Sequence, residues 1–232
     1  MKNKKIIYRI ILLVVILVFV LFFIKNKEGF ENQKTYSQLK QDLKVLEFYK
    51  YKKNGYFIEI GANNGIELSN TYLLEKDYNW KGICVEALPD KFQELIKNRT
   101  SININKAVYN KTGEILNFSS DNLGSGITEL IDKYLDVKKK EQIKVETITL
   151  NDILDNNNAP TFIDYLSIDT EGSEYIILSA VNFNKYKFGI IHLEHNYVEP
   201  RRTDMKNLLL SKDYKYLGEN AYDDEYVHSS LL

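Results

Sequence analysis

Two hydrophobic periodicities alternate along this chain. Short apolar runs of strand length are followed by stretches in which apolar residues recur every three or four positions, the spacing of a helix that buries one face. The predicted strands cover residues 56–60, 82–85, 102–108, 162–168 and 188–193, and helices are predicted to begin near residues 66, 89, 174 and 204. Because strand and helix alternate, the pattern predicts a doubly wound α/β domain with a mostly parallel sheet.

Further segments extend this predicted domain at both ends. Residues 36–49 carry an apolar stripe at helical spacing, which we expect to pack beside the first strand, with membrane contact as the alternative. Residues 144–148 alternate as a strand before a short helical turn at 150–154. Residues 214–217 and 225–228 have the pattern of a terminal strand pair.

The N-terminal pattern predicts a membrane anchor. Residues 6–24 are apolar except for Tyr8 and Arg9, and lysines flank them on both sides. As a helix they would rise roughly 28 Å, close to the thickness of a bilayer's hydrocarbon core. A cleaved signal peptide is the alternative, but the apolar run is long for one and no small-residue cleavage site follows it.

We therefore expect three parts and a single-pass membrane protein. Residues 1–27 would be the anchor, 28–35 a polar tether, and 36–232 one catalytic domain. Lys and Arg are similarly frequent on both sides of the predicted span, so the side of the membrane that holds the domain stays open.

Amino-acid composition limits which binding partners and structural groups are expected. The chain has 232 residues, with 31 Lys and Arg against 32 Asp and Glu, so no positive excess points to nucleic acid. A single cysteine, Cys84, excludes an internal disulfide and a cysteine-based zinc cluster. The expected partners are a small-molecule or glycan acceptor and, through residues 6–24, the lipid bilayer.

Ligand chemistry is expected at the loop after the first strand. Gly61 and Gly65 permit positive φ and close approach of a ligand, but neither G-x-G-x-x-G nor a P-loop pattern is present. Glu59 inside the strand and Glu67 in the predicted first helical turn would repel a pyrophosphate. S-adenosylmethionine, which carries a sulfonium and an ammonium, suits this acidic loop better.

The second strand ends in another acid. Glu86 follows the loop by about twenty residues, the offset at which a carboxylate binds ribose hydroxyls in doubly wound sheets. Glu86 is therefore the predicted ribose ligand.

Acids also follow the two later strands. Asp169 and Glu171 come directly after residues 162–168, and Glu194, His195 and Asn196 end the strand at 188–194. Ligands bind at the carboxyl edge of such sheets, so Asp169 and Glu171 are expected to face the cofactor or the acceptor. These residues could form a general-base cluster or, less favoured, a divalent-metal site. Helix capping by Asp169 and Glu174 and a structural role for His195 are the alternatives.

Several of these segments resemble the FkbM family of S-adenosylmethionine-dependent methyltransferases. The resembling segments are residues 57–65, 85–87, 107–108, 149–154, 168–174 and 193–195. The most specific are the I-G-A-N-x-G loop and the I-D-x-E-G-x-E strand end. Glu59 and Asn151 stand where the family often has Asp.

The resemblance implies the class I methyltransferase (Rossmann-like) fold and methyl transfer, in characterised relatives usually to a hydroxyl oxygen. The family's acceptors differ widely, so hydroxyls of sugars, glycans, lipids and small metabolites all stay open.

Site residues follow from the loop, the strand ends and the resemblance. The predicted cofactor contacts are Glu59, Gly61, Asn63, Gly65, Glu86 and Ala107. Asp169 is the first candidate for the catalytic base and His195 the second, with Glu171 beside them. A divalent metal at Asp169, Glu194 and Asn196 is possible but not predicted.

Three other function classes fit parts of the sequence. A membrane-anchored NAD-type oxidoreductase or epimerase could use Glu86 on a ribose, but the phosphate-binding glycine pattern is missing. A single-pass glycosyltransferase would need Asp-x-Asp, which Asp169-Thr170-Glu171 only approximates. A homologue that binds the cofactor without turnover has the same sequence features.

Overall fold

The computed structural model describes residues 34–120, 124–131 and 141–232, and Tyr36–Leu232 form one compact unit. The predicted membrane span at residues 6–24 and most of the predicted tether lie outside the described residues. Within the described ranges, no helix has the length and apolar character needed to cross a bilayer.

The described part of the chain alternates helices and strands. The helices are α1 (Gln41–Phe48), α2 (Tyr72–Tyr78), α3 (Pro89–Asn98), α4 (Leu150–Asn156), α5 (Glu174–Ser179) and α6 (Arg201–Leu210), and a 3-10 turn covers Ser229–Leu231. The strands are β1 (Tyr56–Ile60), β2 (Lys81–Val85), β3 (Ile102–Ile104), β4 (Ala107–Tyr109), β5 (Ile115–Ser120), β6 (Gly126–Ile127), β7 (Glu141–Thr149), β8 (Phe162–Ile168), β9 (Lys187–Glu194), β10 (Tyr214–Asn220) and β11 (Asp223–His228).

Seven strands form the main sheet in the order β10-β11-β9-β8-β1-β2-β3. All run parallel except β11, which is antiparallel to both of its neighbours. The strand order reverses between β1 and β8, the switch point at which such sheets open a crevice. The predicted doubly wound, mostly parallel sheet is confirmed.

Register brings the strand ends to one edge. Ile60 at the end of β1 pairs with Val85 on one side and Ile168 on the other, and Ile168 pairs with Leu193 of β9. The central strands β1, β2, β8 and β9 are almost fully buried, and most of their apolar side chains belong to one core cluster. The polar residues that follow these strands therefore meet at the same edge of the sheet.

The predicted strand over residues 102–108 is wrong as a single element. β3 joins the main sheet, whereas β4 pairs with β7 in a second sheet of order β4-β7-β5-β6. Asn105, between them, donates its side-chain amide to the carbonyl oxygens of Glu86 (2.8 Å) and Ala87 (3.0 Å). These bonds hold the chain in a turn, so the apolar run is divided between two sheets.

The helix predicted near residue 66 begins later, at Tyr72, and Glu67 lies in the loop before it. Leu68 has a left-handed backbone (φ 57°) and forms a bridge with Ser37, which is incompatible with a helix there. The loop after β1 is therefore longer than the sequence suggested. The predicted helix over residues 36–49 is likewise shorter, because Lys40 is left-handed (φ 61°) and α1 begins after it.

Candidate active site

A cavity of about 570 Å³ lies at the carboxyl edge of the main sheet. Its wall includes residues at the ends of β1, β2, β8 and β9, at the start of β11, and in β5 and β6 of the second sheet. This volume is typical of a small-molecule site, and the switch point between β1 and β8 lies within this set of strands.

The two loop glycines have different tasks. A Cβ on Gly61 (φ 86°) would lie 1.9 Å from the Asp169 carbonyl oxygen, so only glycine lets the ends of β1 and β8 approach this closely. Gly61 lines the cavity. Gly65 is not in the described wall; a Cβ there would meet the side chains of Leu95 at 2.6 Å and Arg99 at 2.7 Å. Gly65 therefore lets the loop pack on α3, and its predicted ligand contact stays a prediction.

Glu59 also lies outside the described cavity wall. Its carboxylate accepts hydrogen bonds from the Ser69 hydroxyl (3.0 Å), the Asn70 amide (2.6 Å) and the Thr71 hydroxyl (2.6 Å). The Arg99 guanidinium is 3.2 Å from it. Glu59 therefore organises the loop, and a buried arginine balances its charge. Its predicted direct contact with the cofactor stays a prediction.

Arg99, which sequence reasoning missed, joins three segments. Its side chain is fully buried at the end of α3. It donates to the Glu75 carboxylate (2.7 Å), the Thr71 hydroxyl (2.8 Å) and the Gly65 carbonyl (3.2 Å). No motif pointed to this residue, because its partners come from α2 and from the β1 loop.

Glu86 lines the cavity at the end of β2. Its two carboxylate oxygens accept from the backbone amides of Asn63 and Leu88, both at 2.8 Å. Burial raises the pKa of Glu86, and these amides act in the opposite direction by stabilising the charged form. A carboxylate has about four lone-pair sites, so Glu86 is fixed in place and can still accept from two hydroxyls.

Three acids converge where β8 and β9 end. One carboxylate oxygen each from Asp169, Glu171 and Glu194 lie within 4.8 Å of one another. Burial raises the pKa of Asp169 well above its usual value, and the nearby charges of Glu171 and Asp223 raise it further. Burial and the neighbouring Asp169 likewise raise the pKa of Glu194. A cation bound beside Asp169 and Glu194 would favour the ionised form of both carboxyls.

The described wall is acidic overall. Its carboxylates are Glu67, Glu86, Asp169, Glu171, Glu194 and Asp223, and its basic residues are Lys91 and Lys106. Lys106 is itself paired with Glu146 at 2.5 Å. Such a wall favours a cationic ligand over an anionic one.

Two asparagines add acceptors to this wall. The Oδ1 atoms of Asn63 and Asn70 are buried without a hydrogen-bond partner, and both residues line the cavity. Buried acceptors of this kind are normally satisfied, so a ligand with N–H donors fits them.

His195, predicted as the second candidate base, is buried and is absent from the described cavity wall. Its Nδ1 accepts from the Tyr197 amide (2.9 Å), and its Nε2 lies 3.5 Å from Asp224. Burial lowers the pKa of His195, so the imidazole is neutral near pH 7. In this placement His195 supports the segment that follows β9, and its predicted role as a base stays a prediction.

Among the described residues, two clusters contain three potential metal ligands each, and one of them is open to a divalent cation. Asp169, Glu171 and Glu194 could ligate a divalent cation, but Asn196, the other predicted ligand, donates its amide to Glu171 at 3.3 Å. The second cluster is His195, Glu219 and Asp224. There Arg202 lies 2.6 Å from Glu219 and 2.7 Å from Asp224, so a guanidinium already supplies the positive charge.

Several wall residues were not anticipated from the sequence. They include Gln41, Phe118, Tyr197, Tyr222 and Asp223. Because β11 is antiparallel, its first residue, Asp223, pairs with Glu194 and reaches the edge where the parallel strands end. The terminal strand pair was predicted, but its direction relative to the sheet was not.

Of the predicted site residues, the structure gathers Gly61, Asn63, Glu86, Ala107, Asp169, Glu171, Glu194 and Asn196 around the cavity. Glu59, Gly65 and His195 lie outside its described wall.

The model of the methyltransferase FkbM domain matches residues 59–216 of the sequence. A comparison of the sequence with curated proteins found no match.

Solved structures with similarity to this chain include three methyltransferases. A precorrin-6y C5,15-methyltransferase from Geobacter metallireducens is 12% identical, with a TM-score of 0.45 and coverage of 85% of this chain and 92% of its own. A TehB-like SAM-dependent methyltransferase from Corynebacterium glutamicum is 6% identical, with a TM-score of 0.43 and coverage of 91% and 98%. An RNA methyltransferase from Salinibacter ruber, in complex with S-adenosyl-L-homocysteine, is 12% identical, with a TM-score of 0.36 and coverage of 81% and 88%.

Proposed function

Because the chain belongs to the FkbM methyltransferase family, we propose that it transfers a methyl group from S-adenosylmethionine to a hydroxyl oxygen. One observation carries the proposal: Glu86 and Asp169 flank Gly61 on the two neighbouring strands of β1, at the edge where all three strands end. This arrangement offers a ribose ligand on one side of the Gly61 loop and a base on the other.

The cavity residues suit each part of the proposed donor. Glu86 can accept from the two ribose hydroxyls, and the buried Oδ1 atoms of Asn63 and Asn70 can accept from the ammonium group. Ala107 and Phe118, which line the cavity from the second sheet, offer an apolar surface for the adenine. The carboxylates that follow β8 and β9 would stabilise the positive charge of the sulfonium.

A dinucleotide fits less well, because the loop amides are already bonded. The Gly61 and Ala62 amides donate to the Val85 carbonyl, both at 3.0 Å, and the Asn63 amide donates to Glu86. These three consecutive N–H groups would be the natural cradle of a pyrophosphate. With them engaged and acids around them, the NAD-type alternative lacks its phosphate site.

Catalysis in this proposal depends on positioning and on one base. When bound, the donor supplies a methyl group already activated by the sulfonium. Holding the acceptor oxygen in line with that methyl group can contribute roughly 7–11 kcal/mol. Asp169 would accept the hydroxyl proton, because it lines the cavity where β8 ends, and such a base adds on the order of 10²–10⁴-fold.

Calorimetric titration of the full chain with S-adenosylmethionine, S-adenosylhomocysteine and NAD tests the proposal. We expect both adenosyl ligands to bind and NAD not to bind. Glu86→Ala should weaken binding of S-adenosylhomocysteine about tenfold or more, because the contact to two ribose hydroxyls is lost. Asp169→Asn should keep that affinity and abolish turnover, because the base is lost.

The matched control is Glu47→Ala, which removes an exposed carboxylate from α1 outside the described cavity wall. It should bind S-adenosylhomocysteine like the unmodified chain. Binding of NAD alone would overturn the donor assignment, and unchanged affinity in a folded Glu86→Ala variant would remove Glu86 from the ribose site.

A further inference from the structure

Membership of the family does not identify the acceptor, because the acceptors of its members differ widely. Resting on the function proposed above, we propose that Tyr197 and Tyr222 form a stacking platform for a sugar ring, so that the acceptor is a neutral or amino sugar hydroxyl.

Topology places these tyrosines on the far side of the cavity from Glu86. The relevant strands lie in the order β11-β9-β8-β1-β2, and adjacent strands are about 4.8 Å apart, so β11 and β2 are separated by roughly 19 Å. Glu86 follows β2, Asp169 follows β8, and Tyr222 directly precedes β11. A donor bound over β1 and β2 leaves the β9 and β11 side to the acceptor, with Asp169 between the two.

Both rings are open to the cavity. Tyr197 is 53% exposed and Tyr222 is 47% exposed, and both line the cavity wall. Their ring centroids are 6.2 Å apart with an interplanar angle of 76°, so they form two walls of a corner. A pyranose ring has apolar C–H faces and a polar rim, and a tyrosine corner covers such a face while the rim stays available for hydrogen bonds.

Tyr197 is held in place by buried neighbours. Asn196 (φ 45°) and Tyr197 (φ 57°) both have left-handed backbones, a conformation that concentrates at functional sites. The Tyr197 amide donates to His195 Nδ1 at 2.9 Å, and the two rings meet edge to face with centroids 4.9 Å apart. The Arg202 guanidinium carbon lies 5.7 Å from the centroid of the Tyr197 ring. His195 is therefore a positioning residue for the platform.

The polar groups beside the platform match a polyol. Asp223, Glu171, Asn196 and Gln41 line this side of the cavity. Carboxylates and amides are flat groups with two polar atoms, which can bond neighbouring hydroxyls of one sugar. Gln41 donates to Asp223 at 2.7 Å, which fixes the orientation of that carboxylate.

The charge of the cavity wall beside the two tyrosines determines which sugars fit. The two lysines of the described wall, Lys91 and Lys106, belong to the segments that follow β2 and β3, on the side of the proposed donor. On the β9 and β11 side the described wall contributes acids, amides and tyrosines. The Arg202 guanidinium beside the Tyr197 ring is outside that wall and is paired with Glu219 and Asp224. A phosphorylated sugar or a uronate would be repelled there, whereas a neutral or amino sugar would not.

The test measures transfer of tritiated methyl from S-adenosylmethionine by the full chain to a defined panel. The panel contains methyl glycosides of neutral hexoses, 6-deoxyhexoses and 2-aminohexoses, together with glucose 1-phosphate, glucuronic acid and 1-octanol. We expect label in one or more of the neutral or amino glycosides, with kcat/KM about tenfold or more above that of the charged sugars.

Variants then test the platform itself. Tyr197→Ala should raise KM for the accepted glycoside about tenfold, while the Kd of S-adenosylhomocysteine stays unchanged, because only the acceptor loses its stacking partner. Tyr197→Phe should restore KM, since the ring is kept. Tyr175→Ala, which removes an exposed tyrosine of α5 outside the described cavity wall, is the control. Tyr222→Ala gives the second measurement if Tyr197→Ala does not fold.

The outcomes separate this inference from the proposed function. If the chain binds S-adenosylhomocysteine but labels none of the glycosides, or labels only octanol or the charged sugars, the sugar subsite is overturned and the donor site stands. An unchanged KM in the folded alanine variants also overturns it. Failure of the unmodified chain to bind S-adenosylhomocysteine overturns the proposed function first.

Discussion

At the residue scale, an acid in a family motif need not line the cavity. Glu59 and Glu86 both stand at the ends of parallel strands, yet only Glu86 lines the cavity. Glu59 instead pairs with Arg99, which lies 40 positions away in the sequence. Sequence reasoning could place both acids on the correct edge of the sheet but could not tell which of them a buried cation neutralises.

Replacing Arg99 tests this division of roles. Arg99→Met should lower the free energy of unfolding by about 3–5 kcal/mol, because it leaves the buried Glu59 carboxylate without its charge partner. Denaturant unfolding followed by circular dichroism measures the change. The double variant Glu59→Gln with Arg99→Met should recover part of the loss, since no unpaired charge is then buried. A loss below about 1 kcal/mol in Arg99→Met, the value of an exposed pair, would contradict this role.

At the element scale, the unit that positions the site is β1 with its loop. Three consecutive loop amides bond to Val85 and Glu86, and three loop residues bond to Glu59, so the loop is fixed to both β1 and β2. The sequence predicted the strand and the two glycines. It did not predict that the loop extends to Tyr72, because the bonds that prevent an earlier helix come from strand residues.

Two glycines with nearly equal φ provide a matched test of the loop. Gly61→Ala should reduce S-adenosylhomocysteine affinity more than about tenfold and destabilise the fold, because its Cβ would overlap the Asp169 carbonyl at 1.9 Å. Gly113, in the turn between β4 and β5, also has a left-handed backbone (φ 83°), but nothing lies within 4 Å of an added Cβ. Gly113→Ala should therefore cost only the backbone strain, about 1–2 kcal/mol, and leave affinity unchanged.

Calorimetry and denaturant unfolding on the two variants separate strain from steric overlap. If Gly61→Ala behaved like Gly113→Ala in both measurements, the close contact between the ends of β1 and β8 would not be needed for binding.

At the scale of the whole molecule, burying several carboxyls at one edge makes stability depend on pH. Burial raises the pKa of Asp223 to about 6, and that of Asp169 and Glu194 well above their usual values. Between the unfolded and folded pKa values, the folded chain binds more protons than the unfolded chain, so these groups reduce stability as pH rises. Buried His192, with its pKa lowered to about 3, acts in the opposite direction below pH 6.5.

Comparing a variant with the unmodified chain isolates one group. The difference in unfolding free energy between Asp223→Asn and the unmodified chain should shift in favour of the variant as pH rises from about 4 to 6, by about 3 kcal/mol, and then level off. Urea unfolding at several pH values measures it. A difference that is constant from pH 4 to 7 would show that Asp223 titrates normally in the folded chain.

The sequence by itself determined the parallel sheet, the ligand loop and the acids Glu86 and Asp169. It could do so because hydrophobic periodicity is local, and because the carboxyl ends of parallel strands always share an edge. The membrane anchor at residues 6–24 stays a prediction from the same kind of local pattern.

Only the tertiary structure decided which edge residues line the cavity. It neutralised Glu59 with Arg99, buried His195 beneath Tyr197, divided residues 102–108 between two sheets, and brought Tyr222 and Asp223 to the cavity through an antiparallel strand. Each of these outcomes depends on partners far apart in the sequence and on strand direction. Local pattern contains neither, so packing of the whole domain alone settles them.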